Sequence, residues 1–360
     1  MALDVCGRKS SVNYDIYRAA LTGGLSSYFE TASFGAYRFP TSTTYNRVVL
    51  SKVPVGCSAW NDNKLASDKK RSAYADEADI WVTKNLGINV FSYTHHLYLM
   101  PPEVEPGQYG VANCFGLAET NLDLWMPAQT SNPWLVGIVH ELGHNMGLGH
   151  SRGYDDNGII QEYGDGSCPM GSAPALVMYN AAQSVALGWT VPQAVWKNTD
   201  MPVGKWLPFK LRGLGDARIS SLRIDVGSWM NGASGWEWDE QVIVSFRRYT
   251  STGIESGLRQ DYRNKVQVHR FSPNAFYDSC GGVLALSNLD STNQPMWPKP
   301  GSNNPADTSS PLLAVRVARI DTVGGAAYIN VCRAQTKGRE SGAQCSDGLD
   351  NDCDGRVDNC

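Results

Sequence analysis

Five residues near the middle of the chain have types and spacing that could do chemistry: His140, Glu141, His144, Gly147 and His150, in the run S-N-P-W-L-V-G-I-V-H-E-L-G-H-N-M-G-L-G-H-S from Ser131 to Ser151. Two imidazoles four residues apart stack on one face of a helix, so His140 and His144 can hold one metal ion together. Gly147 falls where the chain must leave that helix and turn back, and glycine enters the left-handed region at little steric cost. The turn would deliver His150 as a third ligand. Three neutral nitrogens leave the fourth tetrahedral position for water, the arrangement of a catalytic zinc. Zinc lowers the pKa of such a water from ~15.7 toward ~7, and Glu141 would take its proton as it attacks a peptide carbonyl, then pass the proton to the leaving amine. A buried helix with hydrogen-bonded histidines accounts for H-E-x-x-H alone, but not for Gly147 and His150 in register as well.

These residues need a rigid helix beneath them. Ser131 or Asn132 can cap it, Pro133 suits its first turn, and Trp134, Leu135, Ile138, Val139 and Leu142 would bury its other sides. Upstream, residues 2–6 read as a strand, 12–29 as a helical pattern interrupted by Gly23 and Gly24, and 47–55 as a β-branched strand. Asp68–Leu86 reads as an amphipathic helix with Ala75, Ala78, Trp81 and Val82 inward, and 90–99 as an aromatic-rich strand. His95 and His96 are adjacent on that strand and face opposite sides, which suits structural roles better than a shared metal. Tyr109–Phe115 and Leu122–Trp125 read as further strands before the helix. From about Val191 alternating segments recur between Gly, Asn and Asp: W-L-P-F-K-L, I-S-S-L-R-I-D-V, Q-V-I-V-S-F-R, K-V-Q-V-H-R-F, G-V-L-A-L, L-L-A-V-R-V-A-R-I and A-Y-I-N-V-C. Strands at this spacing suggest an antiparallel β-sandwich. His269, within it, reads as structural, and 295–311 as a long Pro/Ser/Asn loop.

The extended motif resembles that of the metzincin metallopeptidases, and several other stretches are similar to the gametolysin family within that clan. They are Y-G-D-G-S-C-P-M-G from Tyr163, Y-N-A-A-Q-S-V-A-L-G-W from Tyr179, I-V-S-F-R-R from Ile243 and N-K-V-Q-V-H-R from Asn264, so the likeness spans most of residues 1–335. The resemblance implies one catalytic zinc on His140, His144 and His150, with Glu141 as base. It also implies a methionine floor under the metal: Met170, with Met178, which precedes a tyrosine as the methionine often does in related peptidases, as runner-up. Tyr163 or Tyr179 would support the developing oxyanion, and an extended substrate would lie along the strand before the helix. The implied fold class is α+β: a metzincin-type catalytic domain of mixed twisted sheet and active-site helix over 1–192, a β-sandwich-like domain packed on it over 193–335, and a Cys/Asp-rich tail over 336–360.

That tail reads C-S-D-G-L-D-N-D-C-D-G-R-V-D-N-C from Cys345, with Asp350, Asp352, Asp354 and Asp358 at calcium-loop spacing, and it resembles D-N-D-C-D-G modules of secreted proteins. An acidic, disulfide-stapled spacer is the other reading. Asp155, Asp156, Glu162 and Asp165, in the loop after His150, could also take calcium, although solvated loop carboxylates are commoner.

Composition sets the compartment. Nine cysteines and 18% charged residues favour an oxidising environment with disulfides, and the odd count leaves a thiol over. A net charge of -4 without a basic stripe argues against nucleic acid, and no apolar run reaches the ~18 residues of a membrane span. The expected protein is a secreted monomer whose signal and prosegment are not present in this chain, acting on protein or glycoprotein of extracellular matrix or cell wall. Two other readings stay open: a non-catalytic matrix-binding or adhesion protein that keeps its zinc for structure, and a latent form in which Cys6 ligates the zinc.

Overall fold

The computed structural model describes residues 1–9, 19–38, 52–57, 68–93, 95–101, 111–112, 122–127, 133–230, 239–274, 281–291, 313–335, 340–358 and 360. The capping residues 131–132, the 295–311 loop, Cys114 and Cys280 lie outside these. The protein mixes helices with several sheets, and its chain divides into two compact units, Met1–Thr31 with Gly35–Leu148 and Ala32–Phe34 with Gly149–Cys360.

In the first unit, strands β1 (Ala2–Val5), β2 (Lys52–Val55), β3 (His95–Met100), β4 (Val111–Ala112) and β5 (Leu122–Pro127) form one sheet in the order β2-β1-β3-β5-β4. All pairings are parallel except β4 on β5, so the sheet is mixed and β4 is an antiparallel edge. A π turn at Ala20–Leu25, which contains the two glycines, leads into α1 (Ser26–Ala32). Helix α2 (Asp68–Leu86) covers the sheet: Tyr74, Ala75, Ala78 and Val82 bury against Leu3, Val5, Val53 and Val55, and Trp81 packs at the edge. The segment expected as one strand over 90–99 begins instead with a short 3₁₀ turn at Val90–Ser92. Asn89 explains it, because its side chain accepts from Phe91 N at 3.2 Å and so offers the backbone a local alternative to the ladder. A Cys6–Cys57 disulfide staples the ends of β1 and β2. Closing a loop of 51 residues stabilises by about 4 kcal/mol on the chain-entropy account.

Helix α3 (Pro133–Asn145) follows β5. Ile138, Val139 and Leu142 are buried on it, as its apolar spacing predicts.

The second unit holds every strand read from the alternating segments. Strands β6 (Ser151–Tyr154), β7 (Ile160–Gln161), β8 (Val191–Trp196), β10 (Ile219–Asp225), β11 (Gln241–Arg247), β12 (Lys265–Phe271) and β13 (Val283–Leu289) form a seven-stranded sheet, and β9 (Trp206–Arg212), β14 (Leu313–Asp321) and β15 (Ala326–Arg333) a three-stranded antiparallel one. The larger sheet is mixed, since β8 pairs parallel to β10 and β6 parallel to β13. One apolar core joins the two sheets through Leu222, Val244, Phe246, Val266 and Val268 on one side and Val315, Ile329 and Val331 on the other. The opposite face of β11 and β12 is buried as well and carries Ser245, Arg247, Gln267 and His269. Short helix α4 (Ala181–Ala186), N-capped by Asn180, packs on these two strands.

Candidate metal centre

The end of α3 shows why glycine is required there. Leu148 N donates to Gly143 O and Gly147 N to His144 O, both at 2.8 Å, which is the paired hydrogen bonding of a Schellman turn. Gly147 has φ +91°, in the left-handed region. The turn also orients a ligand, because His144 Nδ1 bonds the Leu148 carbonyl at 2.8 Å. With that proton on Nδ1, Nε2 is the nitrogen left for a metal. The His140 and His144 rings lie 4.8 Å apart at 85°, side by side on one face of the helix.

His150 completes the set: one nitrogen from each of His140, His144 and His150 falls within 4.8 Å of the others. His150 Nδ1 bonds Glu162 Oε1 at 2.7 Å, again directing Nε2 away from the bond. The three imidazoles therefore fit a tetrahedral metal by number, donor type and the tautomer fixed at two of them. Glu141, between the helical pair in sequence, is 3% exposed.

Beyond His150 the chain forms a pinned hairpin. Strands β6 and β7 pair antiparallel with Gly153 opposite Gln161 and Tyr154 opposite Ile160. Asp155 closes its tip by accepting from the backbone of Asn157 and Ile159 and from Gln161 Nε2. Gly153 and Gly164 lie back to back, where a Cβ on Gly164 would stand 2.7 Å from Gly153 N. At the base, Asp165 is buried and accepts from Ser151 Oγ at 2.7 Å, Ser167 N at 2.9 Å and Ser167 Oγ at 2.6 Å, with His269 Nε2 at 3.3 Å. Burial alone would raise this carboxyl's pKa, but His269, Ser167 and Ser151 together hold it well below the usual carboxylate range. A bulge in β12 beside Val268 accompanies the turning of His269 toward this anchor. His269 is thus structural, and the carboxylates of Asp155, Glu162 and Asp165 are engaged with separate partners.

The remaining candidate residues take varied places. His95 bonds Tyr37 Oη and Asn145 Oδ1, each at 3.3 Å, tying β3 to the last residue of α3, and burial lowers its pKa. His96 is buried against Val90 O and Tyr98 Oη. Tyr163 lies with its ring 4.3 Å from that of His150, whereas Tyr179 is fully buried against Trp189. Met170 and Met178 are both buried; Met170 O accepts from Ser151 N, and Met178 has its N–H on Glu255 and its carbonyl on Arg247. Cys6 is committed to its disulfide, which removes the latent form built on its thiol. Cys168 is the free thiol among the described residues, buried and pushed up to about 12 first by desolvation and then by Asp165. In the tail, Glu340, which lies outside the calcium-loop spacing, gathers with Asp350 and Asp352, while Asp354 and Asp358 accept from Arg356 N and Gly348 N. The Cys332–Cys353 disulfide and a 2.6 Å bond from Trp206 Nε1 to Asp350 fasten the tail to β15 and β9, and Cys345–Cys360 closes the tail on itself.

Sequence reasoning missed the roles of Glu162 and Asp165 and the buried pair Arg247–Glu255, 2.9 Å apart. Asp165 bonds His269 from 104 residues away and Arg247 bonds the Met178 carbonyl from 69, so local patterns carry no sign of these long-range contacts. Glu162 has a local signal, in a hairpin whose two glycines fix its return. Among the described residues no helix is long and apolar enough to cross a membrane.

The chain is 26% identical over 297 residues to the autolysin of Chlamydomonas reinhardtii, an alignment covering 73% of this chain and 44% of that protein, so it spans less than half the length of this relative. A profile of the gametolysin peptidase M11 family matches residues 6–288, which takes in the histidine triad, the hairpin and four of the strands that pair in the larger sheet. The chain belongs to the gametolysin peptidase family.

Proposed function

We propose that this protein is a secreted zinc-dependent endopeptidase of the metzincin type. The observation that carries the reading is the convergence of His140, His144 and His150 nitrogens within 4.8 Å, in a chain whose family implies a metal. His140, His144 and His150 would hold the zinc, which would supply Lewis-acid chemistry to the scissile carbonyl and to the attacking water. Glu141 accepts the proton of the attacking water and delivers it to the leaving amine. Met170 is the apolar floor in this reading, and Tyr163, beside His150, is the phenol better disposed to meet the developing oxyanion. The disulfides of both units support an extracellular setting.

The substrates proposed are proteins or glycoproteins of a cell wall or extracellular matrix, by analogy with the family and with the relative named an autolysin. The test is hydrolysis of gelatin, an unfolded proline-rich protein, by the purified chain with a chelator added and then with zinc restored. Loss and recovery of cleavage are expected. A chain that binds zinc but cleaves neither gelatin nor cell-wall glycoprotein would instead point to an adhesion protein.

A further inference from the structure

Glu162 lies outside the zinc motif, twelve residues beyond His150, and no step of the reaction above uses it. Its carboxylate is nonetheless 2.7 Å from His150 Nδ1. We propose that Glu162 is the positioning residue of the third ligand: it holds the proton on Nδ1, fixes the ring plane and strengthens Nε2 as a donor to the metal. The inference rests on the zinc-site reading above.

The hairpin is built to deliver this contact. Strand β7 ends at Gln161, opposite Gly153, and the chain turns at once, with Gly164 N donating to Gln161 O at 3.1 Å and Gly164 set against Gly153, so Glu162 lies in a tight turn closed on β6. The tip is closed by Asp155, the waist depends on the two apposed glycines, and the base is anchored by Asp165. Glu162 therefore returns to His150 on a short, fastened arm rather than on a free loop.

The two ligands with identified supports differ in kind. His144 leans on a backbone carbonyl, which no substitution removes; His150 leans on an ionisable side chain, which makes a charge-assisted bond and can be replaced. The rival reading is an ordinary surface ion pair, since the Glu162 side chain is 64% exposed, and exposed pairs contribute little to stability. That exposure is what separates the readings. A surface pair touches neither zinc affinity nor fold, whereas a positioning carboxylate changes metal affinity by about 10- to 100-fold with the fold intact.

The experiment measures the zinc dissociation constant of the full chain by competition with a chelator, for the parent, Glu162→Gln, Glu162→Ala and the control Asp156→Asn, which removes a charge from the same hairpin without a contact to His150. Cobalt-substituted samples report ligand geometry through their visible absorption, and metal-free melting curves report folding. Expected are zinc binding weaker by about 10- to 100-fold in both Glu162 variants, a changed cobalt spectrum, metal-free melting like the parent and an Asp156→Asn chain like the parent. Equal zinc affinity in parent and Glu162 variants overturns the inference alone; so does equal weakening by Asp156→Asn, which would make it a field effect. A parent that binds no zinc overturns the zinc-site reading and this inference with it.

Discussion

The helical ligands and the loop ligand are held by different physics. His140 and His144 owe their juxtaposition to helical geometry, and α3 needs only its buried face and its Schellman turn to present them. His150 owes its place to a hairpin whose base is fastened from far away in the chain: Asp165 reaches His269 across 104 residues, and Gln267 donates to Ser167 from 100 residues away. A metal site assembled this way has one half that is encoded by spacing and one half that is encoded by folding. The second half is where substitutions outside the motif should damage the first.

The strongest way to break the comparison is Asp165→Asn. Neutralising this anchor leaves His269, Ser167 and Ser151 facing a group that cannot satisfy them all, and should cost about 3 kcal/mol in metal-free thermal or urea unfolding. The pH dependence has a fixed sign. Folded Asp165 holds its proton only at a pH well below the ~3.9 of an unfolded carboxyl. Its contribution is therefore complete above about pH 4 and is lost as pH falls below that toward the folded value. The Asn variant should lose stability at neutral pH and show a shallower acid limb than the parent; an unchanged acid limb would remove Asp165 from its role.

Gly147→Ala attacks the junction between the halves. A Cβ at φ +91° costs about 1–2 kcal/mol, and relief by unwinding the turn would also shift the Leu148 carbonyl from His144. We expect lowered melting together with weaker zinc binding, measured on the same sample. Stability lost without any change in zinc binding would show that the turn terminates α3 but does not orient His144.

Asn145→Ala tests the helix side and should have the smallest effect. It removes the bond to His95 that ties α3 to β3, for about 1 kcal/mol. Zinc affinity should barely move, because His144 keeps its bond to the Leu148 carbonyl. A drop comparable to that of Asp165→Asn would mean that the helix is no more self-sufficient than the loop.

The legibility of the molecule in its sequence obeys the same division. Helix α2 covers the Asp68–Leu86 range that its apolar period marks, and the β-rich half tracks the alternating runs, because both signals are local. The 3₁₀ turn at Val90–Ser92 escaped because a single Asn89 side chain outweighs the strand propensity of Val90 and Phe91. The mixed character of the seven-stranded sheet was hidden because parallel partners such as β6 and β13 are far apart in the chain. The three histidines were readable as a set. Glu340, ten residues before Asp350, was not, since it lies outside the D-x-D-x-D-G spacing and joins the other carboxylates only once the tail folds on its disulfides.

The most direct test of the metal centre pairs zinc content with peptide-bond hydrolysis for the parent and Glu141→Ala. A catalytic zinc with Glu141 as its base predicts one zinc per chain in both, hydrolysis in the parent that chelation abolishes, and a loss of at least about 10²-fold in the variant, the scale of general acid–base assistance. Equal hydrolysis by the two proteins at equal zinc content would contradict it.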